Sequence, residues 1–213
     1  MYNISFLGAP GAGKGTQAAV VARILNLTHI ATGDMFRQAV QRGDELGKQV
    51  KSYLTKGELV PDNVTVRLVL SSLEAADKEG AVLDGFPRNI KQAEALEVAG
   101  GDLHWVVYLP VTEEELLRRL SGRRVCSKCE TPYRPEIGVI PHACERCGGE
   151  LYQRPDDKPG MIKKRLKVYQ VETEPLVNYY KERNKLIKVR GEGDADAITG
   201  RIVTALKEKG LAE

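Results

Sequence analysis

The run Gly8-Ala9-Pro10-Gly11-Ala12-Gly13-Lys14-Gly15-Thr16 directly follows a short apolar segment, Ile4-Ser5-Phe6-Leu7, and precedes a helical pattern over Gln17–Leu25. Few chains can accommodate this order in more than one way. Glycines let the backbone curl until several N–H groups face one anion, and the helix that follows points its positive dipole end at the same place. Lys14 supplies a mobile cation for the outer phosphates, and Thr16 a hydroxyl on the metal side. The hydroxyl comes one position later than in the commonest form of this loop, because Gly15 follows Lys14. The segment therefore predicts a nucleotide-phosphate cradle between a buried strand and a helix.

The alternation of short β-rich runs with helical patterns extends this into an α/β chain with a mostly parallel sheet covered on both faces. Strands are expected at Asn3–Leu7, Ala81–Asp84, His104–Leu109 and Leu186–Val189, with a short fifth at Thr28–Ile30. Helices are expected at Gln17–Leu25, Asn63–Asp77, Asn89–Val98, Glu113–Leu120 and Ala195–Lys209, where apolar residues recur at three and four positions. A long helix over about Met161–Lys188 must kink or break at Pro175. Two segments interrupt the alternation and read as insertions into the central domain. Residues 31–60 are helical, polar and dotted with glycine; residues 122–157 hold all four cysteines.

A net charge of +3 is too small to argue for nucleic-acid binding, although it leaves room for a local arginine cluster around an anionic substrate. Nothing in the sequence approaches the ~18–20 apolar residues a membrane helix needs. A first strand beginning almost at Met1 leaves no place for an export signal, which predicts a reducing cytosol and cysteines that ligate metal rather than form disulfides.

Those cysteines fall as Cys126-x-x-Cys129 and, after fourteen residues, Cys144-x-x-Cys147. Each pair makes a knuckle with two thiolates on one ion, and a hairpin between them closes a tetrahedral site. Four thiolates leave no open position, so the metal is structural, with zinc the first choice and iron the second. It stands in for a core that a segment of about 35 residues can hardly build. Elsewhere, Val82-Leu83-Asp84-Gly85-Phe86-Pro87-Arg88 ends a strand in a carboxylate at the carboxyl edge of the sheet, where Asp84 can hold Mg²⁺ through water. Arg88 then presents a planar fork from a Gly/Pro turn. Further arginines stand at the roots of the two insertions: Arg37 after Thr32-Gly33-Asp34, Arg119 and Arg123 before the cysteines, and Arg154 and Arg165 after them, with Asp156 and Asp157 between.

Taken together, GAPGAGKGTQ at 8–17, ATGDMFR at 31–37, GELVPD at 57–62, DGFPR at 84–88 with Gln92, GRR at 122–124 and RPDD at 154–157 with Arg165 resemble adenylate kinase in its long-lid form, over essentially the whole chain. The resemblance implies a P-loop nucleoside monophosphate kinase fold in three parts. Residues 1–30, 61–121 and 158–213 form a core with the P-loop, 31–60 the monophosphate-binding domain, and 122–157 a zinc-binding lid. It implies the reaction ATP + AMP ⇌ 2 ADP with Mg²⁺. By the same resemblance Gly11, Ala12, Gly13, Lys14, Gly15, Thr16, Arg119, Arg123 and Gly193 hold ATP, with Pro132 and Tyr133 near its adenine. Thr32, Arg37, Glu58, Leu59, Val60, Gly85, Phe86, Pro87, Arg88 and Gln92 hold AMP, and Arg154 and Arg165 bridge the transferred group. Lys14, Arg88, Arg123, Arg154 and Arg165 form the catalytic set. A hydroxyl at Thr32 and an amide at Gln92 suit the edge of adenine.

Such chemistry needs no general base, because the attacking phosphate oxygen is already ionised, and His29, His104 and His142 all lie outside the motifs. What it needs is in-line placement and compensation of charge. Three other readings differ in what they predict. A kinase for another monophosphate uses a different acceptor. An ATP hydrolase turns over ATP with no second nucleotide. A zinc-ribbon nucleic-acid-binding ATPase, using Arg123, Arg124 and Lys128, needs stacking aromatics that a chain with one tryptophan hardly offers. A monomer is the default, since closing arms need free space.

Overall fold

A computed structural model describes residues 2–76, 78–134 and 139–210. Its centre is a five-stranded sheet of β1 (Tyr2–Leu7), β2 (Thr28–Ala31), β3 (Gly80–Asp84), β4 (Trp105–Tyr108) and, last in the chain, β8 (Leu186–Lys188), in the order β2-β3-β1-β4-β8. Every pairing is parallel, and β1 lies between β3 and β4 with Phe6 opposite Asp84 and Val107. Residues 3–7 are all buried, as expected of a central strand covered on both faces. Its buried Ser5 is tied down: Oγ donates to the carbonyl of Phe86 at 2.7 Å, which pins the turn carrying Arg88 to the middle of the sheet.

Two apolar layers cover the sheet. One joins Ile4 and Phe6 to α1 (Lys14–Ile24), α6 (Glu113–Gly122), α7 (Pro159–Val168) and α9 (Ala195–Glu208) through Ala18, Leu120, Ile162 and Ile202. The other joins Leu7 and Leu83 to α4 (Asp62–Glu74), α5 (Ile90–Val98) and α8 (Pro175–Glu182) through Val69, Leu96 and Tyr180. The helix expected at Asn63–Asp77 is α4, although Asp77 itself lies outside the described residues.

The first insertion folds as α2 (Thr32–Arg42) and α3 (Glu45–Lys56) around Phe36, Val50 and Val60. Gly47 lets the two helices touch, since a methyl group there would lie 2.1 Å from the carbonyl oxygen of Ala39. The second insertion carries a small antiparallel sheet in which β5 (Arg124–Cys126) lies between β6 (Pro132–Tyr133) and β7 (Leu151–Tyr152).

The long helix expected over Met161–Lys188 is interrupted and ends earlier. Between α7 and α8 the chain runs as a π-turn, Tyr169–Thr173, with Glu174 N donating to the carbonyl of Tyr169 at 2.9 Å. Pro175 has no N–H to give and starts α8, while the wider turn before it absorbs the missing bond. The helix stops at Glu182 because residues 186–188 are taken up by the sheet as β8.

Candidate active site

The phosphate loop leaves β1 and enters α1 through Gly13, whose φ of +94° and lack of a side chain place it at the helix start. Gly11 is constrained twice: its φ is +88°, and a methyl group there would lie 2.9 Å from Leu120 Cγ. Gly15 accounts for the late hydroxyl noted in the sequence. A methyl group at Gly15 would come within 2.9 Å of Asp84 Oδ2, so the carboxylate at the end of β3 reaches right up to the first turn of α1.

Lys14 Nζ donates to the carbonyls of Gly8 at 2.6 Å and Ala9 at 3.0 Å, folded over its own loop. Burial pushes its ammonium down to about 8; Asp84 opposes the shift, while Arg88, Arg165 and Arg123 add to it. The cations expected to meet at one cleft are thus close enough to repel one another. Burial likewise lowers the Arg88 guanidinium from its ordinary value, with Arg165 and Arg37 contributing; guanidinium groups stay charged regardless.

A cavity of about 140 Å³ opens beside the loop, lined by Lys14, Gly33, Arg37, Leu59, Gly85, Arg88, Asp156, Arg165 and Thr173 among others. Arg88 is held on three sides. Its Nε donates to the carbonyl of Gly85 at 2.8 Å, its N–H donates to Gln92 Oε1 at 2.7 Å, and its own carbonyl accepts from Thr173 Oγ1 at 2.7 Å. Gln92 in turn donates from Nε2 to Asp62 Oδ1 at 2.7 Å. Thr32 is buried and donates to the carbonyl of Gly85 at 3.1 Å. Asp62 and Thr173 thus brace Gln92 and Arg88, roles that the sequence did not single out.

The two ends of the second insertion meet in a carboxylate–arginine junction. Asp157 accepts from Arg123 Nε at 2.8 Å, Arg123 Nη2 at 2.6 Å and Arg165 Nη1 at 2.9 Å, and its side chain is wholly buried. On the other side of the loop, the buried Arg119 donates to Glu115 at 2.6 Å and to the carbonyl of Gly191 at 3.1 Å, and its Nη1 lies 3.4 Å from the carbonyl of Ala12. Arg119 therefore ties the phosphate loop to the segment containing Gly193. Arg154 is nearly buried, and its Nε has no hydrogen-bond partner among the described residues.

Several expected contacts point elsewhere in this conformation. The Tyr133 hydroxyl donates to Cys144 Sγ at 3.3 Å and accepts from Glu145 N at 2.9 Å, so it is directed at the cysteines. Glu58 lines the cavity, yet its carboxylate pairs with Lys164 at 2.9 Å. Val60 packs in the small core of the first insertion, and Pro132 is exposed. Arg134 was not foreseen, and it extends over the loop: its Nη2 stands 3.8 Å from where a methyl group on Gly13 would be.

The four cysteine sulfurs lie within 4.8 Å of one another, with separations of 3.4 Å for Cys126–Cys147, 3.5 Å for Cys129–Cys144 and 3.3 Å for Cys129–Cys147. A zinc ion with four sulfurs at about 2.3 Å spaces them about 3.8 Å apart, so this arrangement fits a closed thiolate site after a small expansion. The Tyr133 hydroxyl draws the Cys144 thiol down to about 6. Backbone N–H groups of Lys128 and Cys129 point at Cys126 Sγ at 3.3 and 3.5 Å, the geometry of a metal knuckle. His142 takes no part in the cluster.

A parallel sheet that delivers a phosphate loop, an acidic strand end and a converging set of arginines, with two inserted arms meeting above them, defines a P-loop phosphotransferase. The family model for adenylate kinase matches residues 6–185. The chain is also similar to the adenylate kinase of Dehalococcoides mccartyi, 53% identical over 213 residues that cover 97% of this chain and 99% of that one. It is 45% identical to the adenylate kinases of Thermosipho africanus and Streptomyces coelicolor, in each case over 96% of this chain and at least 98% of theirs. The chain belongs to the adenylate kinase family, which makes it a nucleoside monophosphate kinase.

Proposed function

We propose that this cleft moves the terminal phosphoryl group of Mg-ATP to AMP, giving two ADP, with the donor on the phosphate-loop side and the acceptor beside Arg37 and Arg88. The observation that carries the reading is the convergence of Lys14, Arg37, Arg88 and Arg165 on the wall of one cavity, with Arg123 joined to Arg165 through the Asp157 carboxylate. Two polyanions repel unless fixed positive charge is gathered between them, and charge spread over the equatorial oxygens of the transferred group needs the same compensation. One well-placed arginine in such a site contributes about a thousandfold or more in rate.

In this reading the amides of Gly11, Ala12, Gly13, Gly15 and Thr16 cradle the donor phosphates, while Lys14 swings from its own carbonyls onto the outer ones. Arg119 and Gly193 flank the donor base, with Pro132 and Tyr133 on its lid side. Thr32, Glu58, Leu59, Val60, Gly85, Phe86, Pro87 and Gln92 shape the acceptor pocket, and Arg37, Arg88, Arg154 and Arg165 take its phosphate and the transferred group. Thr16 and, through water, Asp84 would hold Mg²⁺, which neutralises developing phosphate charge. The acceptor oxygen is ionised, so no side chain has to remove a proton. None of His29, His104 and His142 lines the cavity. Residues 31–60 and 122–157 act as arms over a core of 1–30, 61–121 and 158–213, and their closing excludes water, the competing acceptor. Zn²⁺ on Cys126, Cys129, Cys144 and Cys147 is structural and lets residues 122–157 move as one body. We further infer a monomer working in a reducing cytosol, consistent with four unpaired thiols.

Incubation of the protein with Mg-ATP and AMP, CMP, UMP or GMP in turn tests the assignment. Two ADP per ATP consumed, with AMP alone, is the expected result. Turnover with no monophosphate, or preference for a pyrimidine, would overturn it.

A further inference from the structure

Glu130 follows the first cysteine knuckle and reaches from the second insertion to the first. The knuckle fixes its backbone: its N–H donates to the carbonyl of Cys126 at 3.1 Å, and its φ is +55°, a conformation in which glycine is at ease and a glutamate is not. A side chain is thus retained where none would be easier. It is 5% exposed, and its Oε2 accepts from Arg37 Nε at 3.1 Å and Arg154 Nη2 at 3.0 Å, while Gln41 Nε2 stands 3.5 Å from Oε1. Arg37 belongs to α2 and Arg154 to the far end of the cysteine-bearing insertion. A single carboxylate therefore joins the two arms.

Arg37 and Arg154 are close enough that each opposes the other's charge, and Asp34, which also pairs with Arg37, lies 3.7 Å from Arg154. A guanidinium pair drawn together in a low-dielectric cleft needs an anion between its members. Glu130 provides it here, with Asp34 beside it. Arg154 meanwhile keeps its buried Nε unpartnered, and Arg37 lines the cavity assigned to the acceptor.

We propose that Glu130 is an internal occupant of the acceptor's arginine pair: it bridges the arms in the empty enzyme and competes with the phosphate of the incoming monophosphate for Arg37 and Arg154. This rests on the reading of Arg37 and Arg154 as acceptor-phosphate ligands. Glu130 touches no reacting atom and acts through those two side chains, as a positioning residue that weakens acceptor binding without affecting the donor. A monophosphate carries more charge than one carboxylate and offers more acceptor oxygens, including one for the orphaned Arg154 Nε, so it displaces Glu130 at a cost in affinity.

Isothermal titration of the full-length protein with AMP, and separately with ATP, measures that cost. Glu130→Gln keeps the shape and removes the charge, while Glu130→Gly removes the side chain and suits the positive φ. Both variants should bind AMP about three- to tenfold more tightly than the wild type, with ATP affinity within twofold and the KM for AMP falling in parallel. AMP affinity that is unchanged or weaker in both variants overturns the inference. So does a gain shared equally by ATP, which would mark a general loosening of the arms. Failure of the wild type to bind AMP at all would instead sink the acceptor assignment, so the two failures are distinguishable.

Discussion

Asp157 offers a direct test of how the charge network at the ends of the second insertion serves the reaction. Its carboxylate is wholly buried and takes three hydrogen bonds from two guanidinium groups, those of Arg123 and Arg165. Asp157→Ala leaves both cations without that partner, in surroundings where their side chains are only 13% and 18% exposed. Removing one member of a buried pair typically costs about 3–5 kcal/mol. Arg165 keeps a second partner in Asp156 at 2.8 Å, which places the cost at the lower end, about 3 kcal/mol. For a chain of this size that is a fall in Tm of about 6–12 °C. Activity should suffer independently, because Asp157 fixes the two forks that the proposed function assigns to the phosphates, and a misplacement of about 1 Å can cost about 100-fold. Asp157→Asn, whose oxygen can take the place of Oδ1 between the two guanidinium groups but which loses the negative charge and the bond from Arg123 Nε, should fall between. The assay is coupled ADP formation with both nucleotides saturating, well below the melting point of each variant. If kcat for Asp157→Ala stays within threefold of the wild type while Tm falls as expected, Asp157 is structural only and the positioning argument fails.

Three further outcomes follow from individual contacts. Gly15→Ala pushes a methyl group against Asp84 Oδ2 and should reduce activity at least 100-fold at saturating Mg²⁺, while Tm changes by less than about 3 °C; near-normal activity would mean Asp84 does not attend the metal-bearing phosphates. Cys129→Ser, or chelation of the metal, should lower the melting temperature strongly yet leave turnover at low temperature mostly intact; loss of turnover in a still-folded protein would contradict a structural role. Glu115 is held down to about 2, chiefly by the hydrogen bond from Arg118 and then by that from Arg119. Its folded value lies below its unfolded one, so the stabilisation is present above about pH 4.5 and is lost as pH falls from there toward 2. Urea titrations of wild type and Glu115→Gln between pH 5 and 3 should therefore converge with acid, and parallel curves would refute the assignment.

What could be read from the sequence was what a few adjacent residues decide among themselves. Gly11 and Gly13 need positive φ whatever surrounds them, the two Cys-x-x-Cys pairs carry their own spacing, and Ile4–Leu7 is apolar because a central parallel strand must be. Even the odd Gly15 was visible, although its reason was not: that required Asp84, which arrives from a strand nearly seventy residues away. Residues whose roles arise from closure were the ones missed. Nothing local to Glu130 announces that it will meet Arg37, and Thr173 carries no mark of its bond to the Arg88 carbonyl. Pro175 signalled an interruption in the long helix but not its form, because the π-turn before it is set by how Tyr169 and Thr173 pack into the core.

The central claim is that one cleft holds enough fixed positive charge for two nucleotides to meet in line and away from water. A crystal structure with AMP and a non-transferable ATP analogue bound together tests it most directly. Lys14, Arg88, Arg123 and Arg165 should each lie within about 2.7–3.2 Å of a phosphate oxygen, with the acceptor oxygen facing the terminal phosphorus and no water between them. Arg88 and Arg123 turned to solvent, or a water seated between donor and acceptor, would contradict it.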